Sequence, residues 1–431
     1  MSQPLKDHAR KTLHKDLLYQ WMSLVNKGHF EKAVAIDQIH YNELVKKSED
    51  VNYWDRWQRD TVASRKDLTR RFEEIRPTTP FHIKRGSPTL IVHHNFSGLA
   101  HETQLARNID WLRSHGEEIN IEIVYLFGGN ENNASACSLY SLSPNCVHYL
   151  QANSYQEAAT KLAQVASSTM ANGIIYPTIF FMAFWMSLFV SHPNQKFLQM
   201  KYYPLHSGRI KRWAGGYRSS DDYYLINGCK FEQLPILDLE VSNSDFITNY
   251  FQTNSISIGS ISRPEKISNP DYNRFVLQIL KANNKIRYLY AGRFESAEII
   301  PEAIREHPRS VALGWVNPVT VISKFSIYLE PFPWGGGEMT LLALSAGVPY
   351  LTLETEESKR FGIYGFLRFL ADGQDPVLQT SFCRSKNQLR DRIEQLVDDP
   401  EFRSTLGGSW RRVIKSYKPP SLHKWRSFLN E

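Results

Sequence analysis

Short apolar segments alternate with amphipathic segments from residue 88 to residue 397, and this alternation restricts the fold more than any other feature. TLIVH (89–93) and IEIVYLF (121–127) flank one helical segment, residues 101–115. A second series starts with SISIGS (255–260) and continues with KIRYLYA (285–291). Strands that alternate with helices pair in parallel, with helices covering both faces of the sheet. The sequence therefore predicts an α/β protein with two doubly wound, Rossmann-like sheets in series.

Residues 1–85 lack this alternation and instead show the pattern of helices. Leu17, Trp21 and Val25 recur at helical spacing, and NKGHFEKAVAI resembles the middle of one tetratricopeptide-type hairpin. No second copy follows, so a repeat solenoid is not predicted. The predicted organisation is a helical N-terminal domain (1–85), two Rossmann-like domains (86–250 and 251–415), and a C-terminal helix (416–431) in position to cross back onto the first Rossmann-like domain.

The chain of 431 residues has a formal net charge of +7, and the positive excess lies at its two ends. Residues 1–85 carry 17 basic against 12 acidic side chains, and residues 386–431 carry 10 against 6. The dense basic stripe with interspersed aromatics that marks nucleic-acid-binding domains is absent from the sequence. The charge pattern excludes a nucleic-acid partner, favours an anionic small molecule, and leaves a peripheral contact with an anionic membrane surface open.

Two further features bear on the compartment. The four cysteines form no CxxC pair, which predicts free thiols, no zinc site and a cytoplasmic location. An uncharged apolar stretch, residues 173–191, is interrupted by Pro177, which leaves about 13 apolar residues against the ~20 that a spanning helix needs. A buried strand, turn and helix are therefore predicted there, with a membrane span as the alternative.

The segment YLEPFPWGGGEMT (328–340) lies between a predicted buried strand and a predicted helix. Its three glycines let the backbone approach a ligand closely. The N–H groups and the positive dipole end of the following helix then face an anion, and Thr340 adds a hydroxyl. A glycine-rich turn without a ligand is the alternative, and a Walker loop is excluded because no GK[ST] follows.

Cations follow two neighbouring strands of the second series. Arg263 and Lys266 come after the strand at 255–260, and Arg293 comes after the strand at 285–291. Because the carboxyl ends of parallel strands lie at one edge of a sheet, we expect these cations to face the glycine-rich helix start. Together they form a predicted site for a diphosphate that needs no metal ion.

Residues 255–354 resemble the nucleotide-sugar-binding half of GT-B glycosyltransferases, through SIGSISRPEKIS, LGWVNP and FSIYLEPFPWGGGEMTLLALSAGVPYLTL. Within that fold they are most similar to the O-linked N-acetylglucosamine transferases and the bacterial adhesin glycosyltransferases. The resemblance implies metal-independent transfer of a glucose- or N-acetylglucosamine-type hexose from a nucleotide diphosphate sugar, of UDP type, to a protein or glycan acceptor. It implies no cofactor beyond this co-substrate. The implied donor-binding residues are Arg263, Lys266, Trp315, Val316, Gly336, Gly337, Met339 and Thr340, and Lys266 is also implied in catalysis. Arg293, from its position after a strand, and Glu338 complete the predicted donor-binding residues.

The sequence departs from the family pattern at the positions that bind the ribose of the nucleotide. Leu342 stands where the protein transferases have an aspartate for the ribose hydroxyls, and the second glutamate of the retaining enzymes is missing. Glu338 is the candidate that remains for this role.

The general base is expected from the first Rossmann-like domain, whose segment SGLAHETQLARNIDWL is similar to the acceptor domain of GT-B enzymes. His101 and Glu102, at a predicted helix start, are the first candidates. His93 and His94 lie nearby in the sequence, and His206 is the second choice. Asp238-Leu239-Glu240 could bind a metal, but no Asp/His cluster surrounds it in the sequence, so no metal site is predicted.

Two other functions fit the same sequence. One is a nucleotide-sugar epimerase of the same fold, against which the helical segment 1–85 argues. The other is a non-catalytic scaffold that binds a sugar nucleotide and docks through its basic ends.

Overall fold

The computed structural model divides the chain into two compact units. The first comprises Met1–Gly216, Asp221–Leu237 and Pro419–Glu431, and the second comprises Tyr217–Ser220 and Asp238–Lys418. Within these units the structure describes residues 3–46, 51–75, 81–84, 86–98, 100–177, 180–199, 205, 207–216, 223–226, 229–235, 255–292, 300–333, 335–360, 363–417 and 422–431.

The first unit contains an eight-stranded sheet in the order β3-β2-β1-β4-β5-β6-β8-β7. All neighbours in it pair in parallel except β7 and β8, which are antiparallel. The order reverses direction between β1 and β4, which is the switch point of a doubly wound sheet. The strands are β1 (Thr89–His93), β2 (Ile121–Tyr125), β3 (Val147–Tyr149), β4 (Gly173–Pro177), β5 (Gln195–Gln199), β6 (Ile210–Gly216), β7 (Tyr223–Ile226) and β8 (Cys229–Leu234).

Helices precede and connect these strands. A helical hairpin and one long helix open the unit, and Leu17, Trp21 and Val25 are buried there, as their spacing predicts. Gly28 makes the turn of the hairpin with a positive φ of 74°, which glycine adopts without strain. The helices are α1 (Gln3–Asn26), α2 (Phe30–His40), a π-helical turn (Tyr41–Lys46), α3 (Val51–Ile75), α4 (Ala100–Ser114), α5 (Asn133–Tyr140), α6 (Tyr155–Ser168) and α7 (Phe180–Val190).

The buried carboxylate of Asp37 joins the N-terminal helices to the rest of the first unit. Its Oδ1 accepts a hydrogen bond from Trp57 Nε1 at 2.8 Å and one from the Arg65 guanidinium. Its Oδ2 accepts from Trp185 Nε1 of α7 at 2.7 Å. A buried charge is tolerable only when it is paired and hydrogen-bonded, and Asp37 meets both conditions. Helices α2, α3 and α7 therefore share one polar contact inside an apolar core.

Strand β4 and helix α7 account for the apolar stretch at 173–191, so the predicted buried strand and helix are confirmed. Every α7 residue from Phe181 to Val190 is buried. Among the residues that the structure describes, no helix has the length and apolarity to cross a membrane.

The helix α17 (His423–Asn430) belongs to the first unit, where side chains from its sheet bind the last carbonyls of the helix. Lys196 Nζ donates to Phe428 O at 2.7 Å, and Arg212 Nη1 donates to Ser427 O at 2.8 Å. The final carbonyls of a helix have no partner within it, so donors on β5 and β6 stabilise this end.

The second unit contains a six-stranded sheet in the order β11-β10-β9-β12-β13-β14, with every pair parallel. Its strands are β9 (Ile256–Ile261), β10 (Ile286–Ala291), β11 (Ser310–Gly314), β12 (Ile327–Leu329), β13 (Tyr350–Leu353) and β14 (Phe382–Cys383). Its helices are α8 (Pro264–Ile267), α9 (Pro270–Ala282), α10 (Glu302–Arg305), α11 (Pro318–Ile322), α12 (Glu338–Ser345), α13 (Glu356–Arg360), α14 (Tyr364–Ala371), α15 (Lys386–Asp398) and α16 (Pro400–Ser416). The predicted fold class, two doubly wound Rossmann-like sheets, is confirmed.

Some predictions cannot be compared with these elements. The proposed domain boundary at 250/251, His206, Arg293 and Asp238–Glu240 lie outside the described residues. Strands β6, β7 and β8 had no sequence prediction. Polar residues interrupt β6 and β8, and the apolar run of β7 is only four residues long.

The buried ammonium of Lys196 should make the stability of the first unit depend on pH. Burial chiefly, and the Arg212 charge next, lower the pKa of Lys196 to about 7, against the opposing charges of Glu232 and Glu431. Above pH 7 the folded protein then binds fewer protons at this site than the unfolded chain. The free energy of unfolding should therefore rise between pH 7 and 9, by at most about 1.4 kcal/mol per pH unit from this group.

Lys196→Met should remove this part of the slope. Lys15→Met, which removes an exposed ammonium from α1, is the matched control and should retain it. Urea unfolding at pH 7, 8 and 9 measures the effect. Equal slopes in all three proteins would contradict the assignment.

Candidate functional site

The candidate site of the second unit lies where β9 and β12 are neighbours, at the switch point of the sheet. Helix α8 follows β9, and the glycine loop (residues 335–337) lies between β12 and α12. Lys266 Nζ in α8 donates a hydrogen bond to the carbonyl of Gly335. The structure thus brings together the cation and the glycine-rich loop that the sequence assigns to one edge of the sheet.

Arg263 occupies the N-cap position of α8, and its carbonyl accepts from Lys266 N at 3.0 Å. Both side chains are half-buried. Arg293, the third predicted cation, lies outside the described residues. The short helix α8 therefore carries the two described cations of the predicted diphosphate site.

The three glycines of the loop differ in how tightly they are surrounded. A Cβ at Gly335 would lie 1.8 Å from Glu330 Cδ, so only glycine fits there. A Cβ at Gly336 would have Met339 Cβ as its nearest neighbour, at 3.9 Å, and a Cβ at Gly337 would lie 3.3 Å from Ile363 Cγ2. Gly335 is thus fixed by the packing below the loop, whereas Gly336 has open space around it.

Helix α12 begins with Glu338, Met339 and Thr340. Glu338 and Met339 are half-buried in its first turn, where N–H groups have no partner within the helix. Thr340 is fully buried, and its hydroxyl lies 3.0 Å from Glu330 Oε1 and 3.1 Å from Gly336 O. Its hydroxyl therefore supports the loop from inside, and its direct contact with a ligand stays a prediction.

Glu330, which the sequence analysis did not assign to the site, lies directly beneath the glycine loop. It follows β12, is only 6% exposed, and accepts hydrogen bonds from the hydroxyls of Thr340 and Tyr350. Burial raises the pKa of its carboxyl, against the opposing effects of the hydrogen bonds from Tyr350, Thr340 and Thr352 and of the Lys266 charge. A glutamate between an apolar strand and a glycine run was the sequence signal that could have identified it.

Trp315 and Val316 follow β11, after Gly314 with its positive φ of 69°. The Trp315 side chain is 75% exposed, which is unusual for an indole, whereas Val316 is half-buried. An exposed aromatic face can stack on a planar base. Both residues lie at the carboxyl end of a strand, as do the cations and the glycine loop.

In the first unit, Glu102 fixes the turn that follows β1. Its Oε2 accepts from Ser97 N at 2.8 Å, Ser97 Oγ at 2.5 Å and Gly98 N at 2.9 Å. Its Oε1 accepts from Tyr125 OH at 3.0 Å. The carboxylate is buried and hydrogen-bonded within the turn, so its role as general base stays a prediction. The His101 side chain lies outside the described part of α4.

The two histidines at the end of β1 have different surroundings. His93 is buried, with Nε2 2.9 Å from Tyr140 OH and Nδ1 3.9 Å from Glu102 Oε1. His94 packs against the Phe127 ring, with centroids 4.6 Å apart. Burial lowers the pKa of both imidazoles, and the Glu102 charge opposes the shift only at His93. Both are therefore neutral at pH 7.

A shallow, open cavity of about 500 Å³ lies beside the turn that follows β1. It lies where β1 and β2 end, between the turn and helix α5, so it occupies the carboxyl edge of the first sheet. Its lining combines two hydroxyls with apolar groups: Phe96, Gly98, Ala134, Ser135, Ser138 and Leu139.

No protein-family model matches the sequence, and no curated protein matches it. Solved structures do match. A mutant of the O-GlcNAc transferase of Thermobaculum terrenum is 14% identical, with a TM-score of 0.59 over 93% of this chain and 75% of that one. A mutant of S. aureus TarM, in complex with fondaparinux, α-GlcNAc-glycerol and UDP, is 10% identical, with a TM-score of 0.57 over 80% of this chain and 100% of that one.

The pneumococcal O-GlcNAc transferase GtfA, in complex with UDP and GlcNAc, is also 10% identical, with a TM-score of 0.53 over 80% of this chain and 99% of that one. At these identities the likeness shows the fold. The chain has the GT-B fold, as the resemblance of residues 255–354 implied.

Gly335 is tightly packed and Gly336 is not, so the same substitution at the two positions tests the packing around Gly335. Gly335→Ala places a methyl group on the Glu330 carboxyl and should lower the free energy of unfolding by about 1–3 kcal/mol, the usual cost of overpacking. Gly336→Ala meets no close neighbour and should change stability by less than about 0.5 kcal/mol. Chemical unfolding of both variants measures the difference, and equal effects would show that Glu330 does not hold this position.

Proposed function

We propose that the protein is a glycosyltransferase that moves a glucose- or N-acetylglucosamine-type hexose from a UDP-sugar to a protein or glycan acceptor. The observation that carries this proposal is the Lys266 ammonium on the Gly335 carbonyl, beside the start of α12. A cation beside unsatisfied helix N–H groups is a binding site for phosphate oxygens. The structures of GtfA and TarM, which were solved with UDP, support the choice of nucleotide.

The reaction breaks the bond between the sugar C1 and the diphosphate oxygen, and the bonding electrons stay on that oxygen. Lys266, Arg263 and Arg293 would stabilise the developing charge together with the N–H groups at Gly336, Gly337 and Met339. Such preorganised donors lower the barrier because they are already oriented before charge develops. We therefore propose transfer without a metal ion or further cofactor.

The remaining donor contacts follow from the positions of the other predicted residues. The exposed Trp315 indole would stack on the uracil, with Val316 beside it. Glu338 would bind the ribose hydroxyls, and Thr340 would hold the loop and the helix start together. The acceptor hydroxyl forms the new bond to C1 and loses its proton to a base, for which His101 or Glu102 is proposed.

The cavity beside the turn after β1 is the proposed acceptor-side pocket. Its size and its mixture of hydroxyl and apolar groups fit part of a peptide or a sugar. The free cysteines of the sequence support a cytoplasmic location, and the basic termini a contact with an acidic acceptor or an anionic membrane surface.

Lys266→Ala should reduce turnover of a UDP-sugar at least 100-fold, because losing one charge-stabilising donor costs about 3–4 kcal/mol of barrier. Release of UDP from radiolabelled UDP-N-acetylglucosamine measures turnover, with and without candidate acceptors. Lys285→Ala, which removes an exposed lysine of the same unit, is the control and should be fully active. Unchanged turnover in folded Lys266→Ala would contradict the proposed site.

Ser138→Trp should fill the acceptor-side pocket without affecting the donor. We expect the KM for the acceptor to rise at least about tenfold, equivalent to about 1.4 kcal/mol, while hydrolysis of the UDP-sugar in the absence of acceptor is unchanged. Ser167→Trp, on the exposed face of α6, is the matched control. Equal acceptor KM values for the two variants would remove the pocket from the acceptor site.

A further inference from the structure

The Glu330 carboxyl is buried and contacts several segments of the candidate site. It packs against Gly335 so closely that no side chain fits between them. Its Oε1 accepts from Thr340 Oγ1 of α12 at 3.0 Å, and its Oε2 accepts from the Tyr350 hydroxyl of β13. One buried carboxyl thus connects the end of β12, strand β13, the glycine loop and the first turn of α12.

In the described part of the chain, the groups around this carboxyl are hydroxyls and one cation. The hydroxyls of Tyr350 and Thr340 hydrogen-bond to it, and the side chains of Thr352 and Tyr328 also act on it. Among the described residues, the charged side chain that acts on it is Lys266 of α8, whose ammonium is bound to the Gly335 carbonyl. The carboxyl and the ammonium therefore both lie against the same loop residue, Gly335, which brings opposite charges close together.

A carboxylate is a costly choice beneath a site for an anion, because it repels the ligand and loses hydration. A glutamine of the same shape would accept from Thr340 and would reverse the bond to Tyr350, donating to its hydroxyl oxygen. What only the carboxylate adds is a negative charge that holds the Lys266 ammonium in one position. Preorganising a cation in this way matters most when the leaving group gains charge.

We propose that Glu330 is a positioning residue that orients the Lys266 ammonium toward the leaving diphosphate through its charge, and holds the glycine loop through its hydrogen bonds. It touches neither donor nor acceptor. This inference rests on the proposed transferase function, and it assigns the charge and the hydrogen bonds of one side chain to different effects.

The two effects separate in two substitutions. Glu330→Gln keeps the shape and a hydrogen bond to each of Thr340 and Tyr350, the latter reversed, but removes the charge, so it should bind UDP at least as tightly as the wild type while kcat falls at least tenfold. Glu330→Ala removes the support of the loop as well, so it should bind UDP more weakly. A purely structural role would leave Glu330→Gln unchanged, or would weaken UDP binding and kcat together.

Calorimetric titration with UDP, UDP release from UDP-N-acetylglucosamine and thermal unfolding provide the three measurements. Glu354→Gln is the matched control, since Glu354 is another buried glutamate after a strand of the same sheet, bound to Tyr364 and Arg368 instead of the loop. It should leave both UDP affinity and kcat near the wild-type values.

The outcomes are distinguishable. Tighter or equal UDP binding with lower kcat in Glu330→Gln supports the inference. Wild-type kcat, or parallel losses of affinity and kcat, overturns it while the proposed function stands. A wild-type protein that neither binds UDP nor turns over the UDP-sugar overturns the proposed function, and the inference with it.

Discussion

Parallel pairing of β9 with β12 is the contact on which the candidate site depends. Ile258 pairs with Ile327, and Gly259 pairs with Tyr328. A Cβ on Gly259 would lie 2.1 Å from the Phe325 ring, so the pairing needs glycine at that position. Because both strands end at the same edge of the sheet, residues 69 positions apart in the chain, such as Lys266 and Gly335, meet there. The chemistry proposed for this edge follows from strand order.

Buried carboxylates join distant segments in both units. Asp37 binds side chains of α3 and α7, Glu102 binds the turn after β1, and Glu330 binds α12 and β13. Each accepts at least two hydrogen bonds, which offset the loss of hydration. Asp37 forms a direct ion pair with Arg65, which neutralises its charge. Glu330 has hydroxyl partners, and its attraction for a cation acts on Lys266 at the site itself.

Local sequence patterns predicted most of the elements but not β6, β7 and β8, and the rule that parallel strands end at one edge predicted part of the site. Apolar runs such as residues 285–291 identify strands because burial on both faces requires them, and loops after parallel strands must share an edge, so Lys266 and the glycine loop could be associated in advance. The role of Glu330 could not, because its partner Tyr350 becomes adjacent only through the pairing of β12 with β13. Glu102 likewise meets Tyr125 through the packing of α4 on β2. Hydrogen-bond networks depend on register, which short patterns do not encode.

The docking of α17 has a consequence for how the protein is made. The core of the first unit includes Trp425, Phe428 and Leu429, yet in the sequence residues 238–418 of the second unit separate them from the strands of the first. A ribosome therefore completes the second unit before it supplies the last helix of the first. Until then the first sheet lacks α17. The groups that bind this helix, such as Lys196 and Arg212, are exposed to water or to chaperones during that part of synthesis. The second unit is, in this respect, an insertion into a domain that began to form earlier.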